Sequence, residues 1–314
     1  MTLAAARLTF RIGRTELLAF GGVLVTLAIA TFLSAIWIDS LRPPAACLTG
    51  QEFGADCEVA NQAWYAAQAG LPGVFAGLLL FVSFAAGLFL GVPIVAREVE
   101  RGTTRLAWSL SPSRMRWFAH RMLPVLGLMI VVATLAAVAT ERMSASLNPT
   151  VDLGNAFVVF GYRGLPLAAR AIFIFAVGVL VGAVVARTLP AIILGAIVAV
   201  IGLSGGQAVH QKLLAAEAIQ VPVNMTGDQQ GATGDMFIDQ RFVLPDGTLV
   251  NYEYFGTESP FDEATGNPRY PMVNLVVPGT RYKEVAARES LALLGGALVG
   301  LLAAGFVVTR RRPG

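Results

Sequence analysis

The densest group of charged residues in the chain lies between positions 97 and 105. Its charged members are Arg97, Glu98, Glu100, Arg101 and Arg105, and the same segment contains Gly102 and Thr103. Arginine and glutamate side chains can form ion pairs, a glycine permits a turn that no side chain obstructs, and a threonine can cap a short helix. The simplest interpretation of such a segment is a solvated charged loop, held at the lipid headgroups by its arginines and nearby tryptophans.

Residues for catalysis or metal binding do not form a recognisable pattern in this sequence. A phosphate-binding loop needs a lysine after a glycine-rich turn, whereas the lysines here are Lys212 and Lys283, neither in that setting. The histidines, His120 and His210, lie far apart in the sequence and belong to no metal-binding motif. We therefore predict that the chain is not an enzyme, has no catalytic or metal site and binds no cofactor itself.

Two cysteines, Cys47 and Cys57, follow the first apolar segment at close spacing. In an oxidising compartment they would form a local disulfide, which the short glycine-containing loop between them makes geometrically easy. The alternative is a pair of free thiols.

The elements that position these residues are six long apolar segments. The chain has 314 residues, of which 55% are hydrophobic and 14% charged, and a bilayer core needs about 20 successive apolar residues per helix. The segments are 17–38, 74–96, 123–140, 171–186, 188–209 and 291–309, and none contains Asp, Glu, Lys, Arg or His. They predict an all-α polytopic membrane protein with six transmembrane helices.

The arginines predict how these helices are oriented. They cluster before the first segment, between the second and third, between the fourth and fifth, and after the sixth. Cytoplasmic flanks retain positive charge, so both termini are predicted to be cytoplasmic in a multi-pass protein of the cell membrane. The sequence pI of about 9.1 is then a topology signal, and we expect membrane lipid rather than nucleic acid as a partner.

The connecting segments suggest further elements. Residues 97–122 are charged and amphipathic, which predicts one or two short helices along the inner surface, separated by a break at Ser111, Pro112 and Ser113. In the mixed segment 141–170, an apolar patch at 156–160 is expected to lie in the interface or to re-enter the membrane. We expect 210–289 to form a small α+β extracellular domain with a helix over 211–219 and a β-hairpin of 237–244 and 248–255.

Pairs of glycines four residues apart recur within the apolar segments: Gly87 and Gly91, Gly178 and Gly182, Gly202 and Gly206, and Gly296 and Gly300. Such pairs let helix backbones approach closely in lipid. They favour either ordinary packing within one bundle or a dimer interface or gate.

The inner end of the second segment resembles a known family. Residues 93–117 read PIVAREVERGTTRLAWSLSPSRMRW, which resembles the cytoplasmic segment of type 2 ABC exporter permeases, in particular the actinobacterial group. A second likeness is PGTRY at 278–282, similar to the family's Pro-Ala-Ser-Arg-aromatic segment, although Gly279 and Thr280 replace Ala and Ser.

The resemblance implies a division of the chain and a function. Residues 1–209 would hold transmembrane helices one to five with the coupling segment 97–122, residues 210–289 the extracellular domain, and residues 290–314 the sixth helix and a cytoplasmic tail. The coupling helix would dock on a cytosolic ABC ATPase that binds ATP and Mg²⁺. A second permease copy or a homologue would complete an exporter for a small amphipathic or hydrophobic compound.

Two other functions are compatible with the sequence. One is a permease-like sensor or scaffold whose extracellular domain signals without transport. The other is an enzyme acting on lipid, which is disfavoured because no group of nucleophile, base and orienting residue is evident.

Overall fold

The computed structural model describes residues 14–48, 54–104, 108, 112–223, 234–262 and 267–311. Its longer helices are α1 (Arg14–Ser40), α3 (Ala55–Ala69), α4 (Leu71–Gly91), α6 (Arg114–Leu147), α7 (Gly164–Val185), α8 (Thr188–Glu217) and α9 (Tyr282–Arg310). Two short helices, α2 (Ala45–Leu48) and α5 (Pro93–Glu100), lie between them.

Six helical segments in the described residues are long and apolar enough to cross a membrane, as predicted. They are Leu18–Ser40, Ala55–Glu100, Arg114–Leu147, Gly164–Val185, Thr188–Glu217 and Gly279–Arg310. Hydrophobicity locates the centre of each span. Several helices extend beyond the apolar segments and include charged residues, such as Glu141 and Glu289, that pair with Arg163 and Arg170.

The third span differs most from its prediction. The sequence predicts one or two short inner helices within 97–122, but the residues after the break at Ser113 are the first turns of α6. That helix begins at its cap, Ser113, whose hydroxyl accepts a hydrogen bond from the Arg116 amide at 3.1 Å. It continues through Leu147, so the first part of the mixed segment 141–170 is helical.

Glycines bring α4 and α7 into close contact. A Cβ atom at Gly91 would lie 2.6 Å from the Phe175 carbonyl oxygen, and one at Gly182 would lie 2.5 Å from the Val92 carbonyl oxygen. Only glycine allows backbones to approach this closely. These glycines, with Gly87 and Gly178, therefore pack within one bundle, as the simpler of the two interpretations predicted.

A second compact unit comprises residues 151–158 and 204–285. It contains an antiparallel sheet of β1 (Ile219–Pro222), β2 (Met236–Val243), β3 (Leu249–Val250) and β4 (Met272–Val277), in the order β1-β4-β2-β3. The side chains of Phe242, Val273, Val276 and Val277 are buried in this unit. The sheet confirms that a small β structure lies between the fifth and sixth spans, while the predicted boundaries at 210 and 289 remain predictions.

The details of this unit bear on three predictions. The helical stretch predicted over 211–219 is confirmed as far as Glu217, where it is the end of α8, and Ile219 begins β1 instead. The second hairpin arm is short, because the Asn251 side chain caps a 3₁₀ turn over Tyr252–Phe255. Residues 156–158 of the apolar patch 156–160 belong to this unit, where the Phe157 amide donates to the Gly234 carbonyl at 2.8 Å. The position of the patch in the interface or the membrane remains a prediction.

The turn between β2 and β3 is stabilised by Asp246. Its carboxylate accepts a hydrogen bond from the Thr248 amide at 2.9 Å. This backbone bond is the main cause that lowers the pKa of Asp246 below its ordinary value, and a hydrogen bond from the Thr248 hydroxyl is the second cause.

Candidate functional site

The turn that follows α5 has a defined backbone structure. Gly102 adopts a φ of 70°. Its amide donates to the Val99 carbonyl at 3.1 Å, and the Thr103 amide donates to the Glu98 carbonyl at 3.2 Å. This pair of bonds is a Schellman motif, which ends a helix with glycine in the left-handed conformation. The turn predicted at Gly102 is therefore present.

Glu98 connects this turn to α6. Its carboxylate accepts a hydrogen bond from Arg121 at 2.7 Å and another from the Thr103 hydroxyl at 2.6 Å. The Glu98 side chain is only 13% exposed, and the Arg121 guanidinium also lies 5.3 Å from the centre of the Trp117 ring. Because the ion pair is mostly shielded from water, it holds α5 against α6 more firmly than an exposed pair would.

Glu100 connects the same segment to the start of α8. Its carboxylate accepts from the Thr188 amide at 3.0 Å and from the Thr188 hydroxyl at 2.6 Å. The first amides of a helix have no partners within the helix, and its N-terminus carries partial positive charge. A carboxylate at this place therefore both caps and stabilises α8.

The other predicted residues of the segment are placed differently. Arg97 is half-buried on α5, whereas Arg101 is exposed at the end of that helix. Arg105 lies outside the described residues. The structure thus bonds Glu98 to Thr103 within the turn, bonds Glu100 to Thr188 outside it, and leaves the Arg101 side chain exposed.

Arginines that the sequence did not single out individually link the remaining helix ends. We call Arg114, Arg121 and Arg311 the arginine belt. Arg114 donates to the carbonyl oxygens of residue 309 at 3.1 Å and of Arg311 at 2.5 Å. Arg311 in turn donates to the Ala183 carbonyl at 2.6 Å. One carbonyl in the last turn of α7 and one in the last turn of α9 are therefore satisfied by arginines.

One signal in the sequence could have identified part of this belt. Arg114 and Arg121 are seven residues apart, which places them on one face of α6. Trp117 lies between them, and its ring meets Trp108 edge to face at 6.2 Å. Their partners could not be found in this way, since they come from distant parts of the chain.

A second charged group lies at the opposite ends of the membrane helices. Arg170 of α7 donates twice to one Glu289 oxygen of α9, at 2.6 and 3.0 Å, and the two side chains are only 9% and 13% exposed. Arg163 pairs with Glu141 at 2.5 Å. The apolar segments themselves contain no charge, but the helices extend to include such pairs.

The disulfide between Cys47 and Cys57 is present, with the two Cα atoms 5.4 Å apart. It joins α2 to the first turn of α3. The prediction of a local disulfide is therefore confirmed. In the part of the chain that the structure describes, no three His, Cys, Asp or Glu residues are grouped for metal binding.

These features define a multi-pass helical membrane protein. At one end of its helices, hydrogen bonds and ion pairs connect the turn at Gly102 to neighbouring helices. A family model described as ABC-2 membrane transporter related matches residues 18–209, more than half of the chain. The chain belongs to this family of membrane transporter proteins. No curated protein and no solved structure matches it.

Proposed function

We propose that the chain is the membrane subunit of an ATP-driven exporter that moves a small amphipathic or hydrophobic compound across the cell membrane. Family membership supports this proposal, since ABC-2 permeases generally work with ATPase partners. In this proposal the chain is not catalytic. ATP and Mg²⁺ bind to a separate cytosolic ATPase, and a second permease copy or a homologue completes the transporter.

The proposed orientation places the Gly102 turn and both termini in the cytoplasm. The distribution of arginines supports it, because the belt residues and Arg101 all lie at one end of the helices. The sheet unit would then lie outside the cell. Cysteine residues introduced at Arg101 and at Asp246 test this orientation, since a membrane-impermeant maleimide should label only the second of them in intact cells.

The observation that carries the coupling role is that two carboxylates fix the turn to two membrane helices. Glu98 binds Arg121 of α6, and Glu100 binds Thr188 of α8. A force applied to the turn would reach both helices without first bending a flexible loop. In this proposal the carboxylates transmit movement, and the exposed Arg101 contacts the ATPase.

The proposal assigns different defects to different variants when the chain is co-expressed with a candidate ABC ATPase that forms a complex with the native chain. Arg101→Asp should weaken the complex, whereas its control Arg116→Asp, at another exposed arginine, should not. Glu98→Gln and Glu100→Gln should keep the complex but lose stimulation of ATP hydrolysis by transported compound. Normal complex formation and normal stimulation in all these variants would refute the coupling role.

The sheet unit favours one alternative, a sensor or scaffold in which no compound crosses the membrane. Such a separately packed unit of 204–285 with 151–158 could bind a ligand and signal. Reconstituted vesicles separate the two functions. Accumulation of compound that depends on ATP supports the exporter, and stimulated hydrolysis without accumulation supports the sensor.

A further inference from the structure

Helix α9 is attached to the membrane bundle differently along its two halves. In its second half, Leu301 and Val308 are buried in the core of the bundle, and Arg114 of the arginine belt binds a carbonyl in its last turn. Among residues 289–300, by contrast, only Ser290 and Ala297 are buried. Small side chains bury little apolar surface, so packing holds this part of α9 more weakly than the second half.

The ion pair between Arg170 and Glu289 connects α7 to α9 in this weakly packed part. Two nitrogens of the Arg170 guanidinium donate to the same carboxylate oxygen, and both side chains are largely buried. An ion pair that is shielded from water is strong while it is formed, but either partner is costly to leave buried alone. The two helices are therefore stable either with the pair formed or with both charged groups exposed to water.

The Arg170 guanidinium also supports a strained loop over residues 159–163. Val159 has a φ of 50°, a conformation that is unfavourable for a β-branched residue. The Val159 side chain is 49% exposed, so its own packing does not impose this conformation. Gly161, with a φ of 83°, lies against the guanidinium so closely that a Cβ would overlap it, and the centre of the Tyr162 ring lies 5.4 Å from the guanidinium carbon. The conformation of the loop therefore depends on the position of Arg170.

A second ion pair attaches the end of this loop to α6. Arg163 is only 1% exposed and pairs with Glu141, and this pair does not include α9. The loop therefore stays attached to α6 when Arg170 moves away from Gly161. Strain at Val159 can then relax, which favours the position of Arg170 in which it no longer holds Glu289.

We propose that the Arg170–Glu289 pair is a latch that closes the bundle between α7 and α9 at the end opposite the arginine belt. When the pair separates, the part of α9 over 289–300 moves away from α7, while the arginine belt and Val308 hold its second half. The strain in the loop over 159–163 makes this opening less costly. The use of the latch as the outer gate through which the exported compound leaves rests on the proposed function, but the closure itself does not.

Cysteine labelling of the full purified chain with a water-soluble maleimide tests the latch. Ser290, next to the latch, is 1% exposed, and Val308, in the second half of α9, is 0% exposed. Ser290→Cys and Val308→Cys, introduced separately, should therefore both react slowly while the latch is closed. The native cysteines, Cys47 and Cys57, are joined in a disulfide and do not react.

Removal of both charges opens the latch without leaving either charge buried alone. Arg170→Gln with Glu289→Gln should speed labelling of Ser290→Cys about tenfold or more through local opening, and should leave the rate at Val308→Cys unchanged. An unchanged rate at Ser290→Cys would overturn the proposal. Faster labelling at both positions would also overturn it, because the pair would then stabilise the whole bundle.

The neighbouring ion pair supplies the matched control. Arg163→Gln with Glu141→Gln also removes one arginine and one glutamate, but this pair does not contact α9. Labelling of Ser290→Cys should stay slow in this variant. Equal acceleration by the control would contradict a specific role of the Arg170–Glu289 pair.

The complex with a candidate ABC ATPase separates the latch from the exporter proposal. With the native pair in place, ATP should speed labelling of Ser290→Cys. If compound accumulates in vesicles with ATP but the labelling rate does not change, the latch is not the outer gate and that assignment fails. If ATP causes neither accumulation nor faster labelling, while Arg170→Gln with Glu289→Gln still exposes Ser290→Cys, the exporter proposal fails and the latch itself is supported.

Discussion

Replacing Gly182 by alanine should destabilise the helical bundle by a measurable amount. The added Cβ would lie 2.5 Å from the carbonyl oxygen and 3.1 Å from the Cα atom of Val92. Both are backbone atoms, so no side chain can rotate away and the helices must separate. Overpacking of this kind costs about 1–3 kcal/mol.

Gly127→Ala is the matched control for this substitution. Gly127 lies within α6, and a Cβ there has nothing within 4 Å. Alanine is favoured over glycine in a helix by about 1 kcal/mol, and both variants gain this term. The difference between them therefore isolates the steric cost at the contact between α4 and α7.

Thermal unfolding of the purified chain in detergent measures this difference. For larger domains, each kcal/mol shifts the midpoint by about 2–4 °C, so Gly182→Ala should melt several degrees below Gly127→Ala. A midpoint for Gly182→Ala equal to or above that of Gly127→Ala would refute the close backbone contact. Circular dichroism at 222 nm should show the same helix content in both variants before unfolding.

Three further substitutions test other parts of the structure. Arg170→Gln leaves Glu289 buried without its partner and should cost about 3–5 kcal/mol, and a double-mutant cycle with Glu289→Gln should show strong coupling in thermal unfolding. Cys47→Ser with Cys57→Ser should cost about 2–3 kcal/mol through lost loop closure, measured against the native chain with its disulfide intact, and the reduced native chain should match the variant. Folding lowers the pKa of Asp246, so its carboxylate stabilises the folded state above its ordinary pKa, and this stabilisation disappears as the pH falls through the folded-state pKa. Asp246→Asn should abolish this part of the loss of stability on acidification, measured by thermal unfolding as a function of pH.

The number of membrane spans could be predicted from the sequence because each one depends on a local property. About 20 apolar residues in succession suffice to identify a span, and this identification does not depend on residues elsewhere in the chain. Helix ends depend on distant residues. Glu141 extends α6 beyond the apolar segment and pairs with Arg163, and no local pattern predicts that partner.

The candidate site shows the same limit. The turn at Gly102 follows from a local motif, whereas the partners of Glu98 and Glu100 lie 23 and 88 residues away. The sheet is a further example, since β2 pairs along most of its length with β4 and only briefly with β3. Turn residues between two apolar stretches predict the turn between β2 and β3. They do not determine that β4, which is distant in the sequence, forms most of the hydrogen bonds to β2.

The contact between Gly182 and Val92 fixes the position at which α5 begins. Val92 is the residue directly before α5, so the point where α4 and α7 touch is also the point from which the short helix projects. Eight residues at about 1.5 Å each make a lever of about 12 Å. A rotation of about ten degrees at Val92 would move the far end by about 2 Å, which is comparable to the length of a hydrogen bond between Glu100 and Thr188. A rotation of this size would therefore be enough to break the hydrogen bond between Glu100 and Thr188.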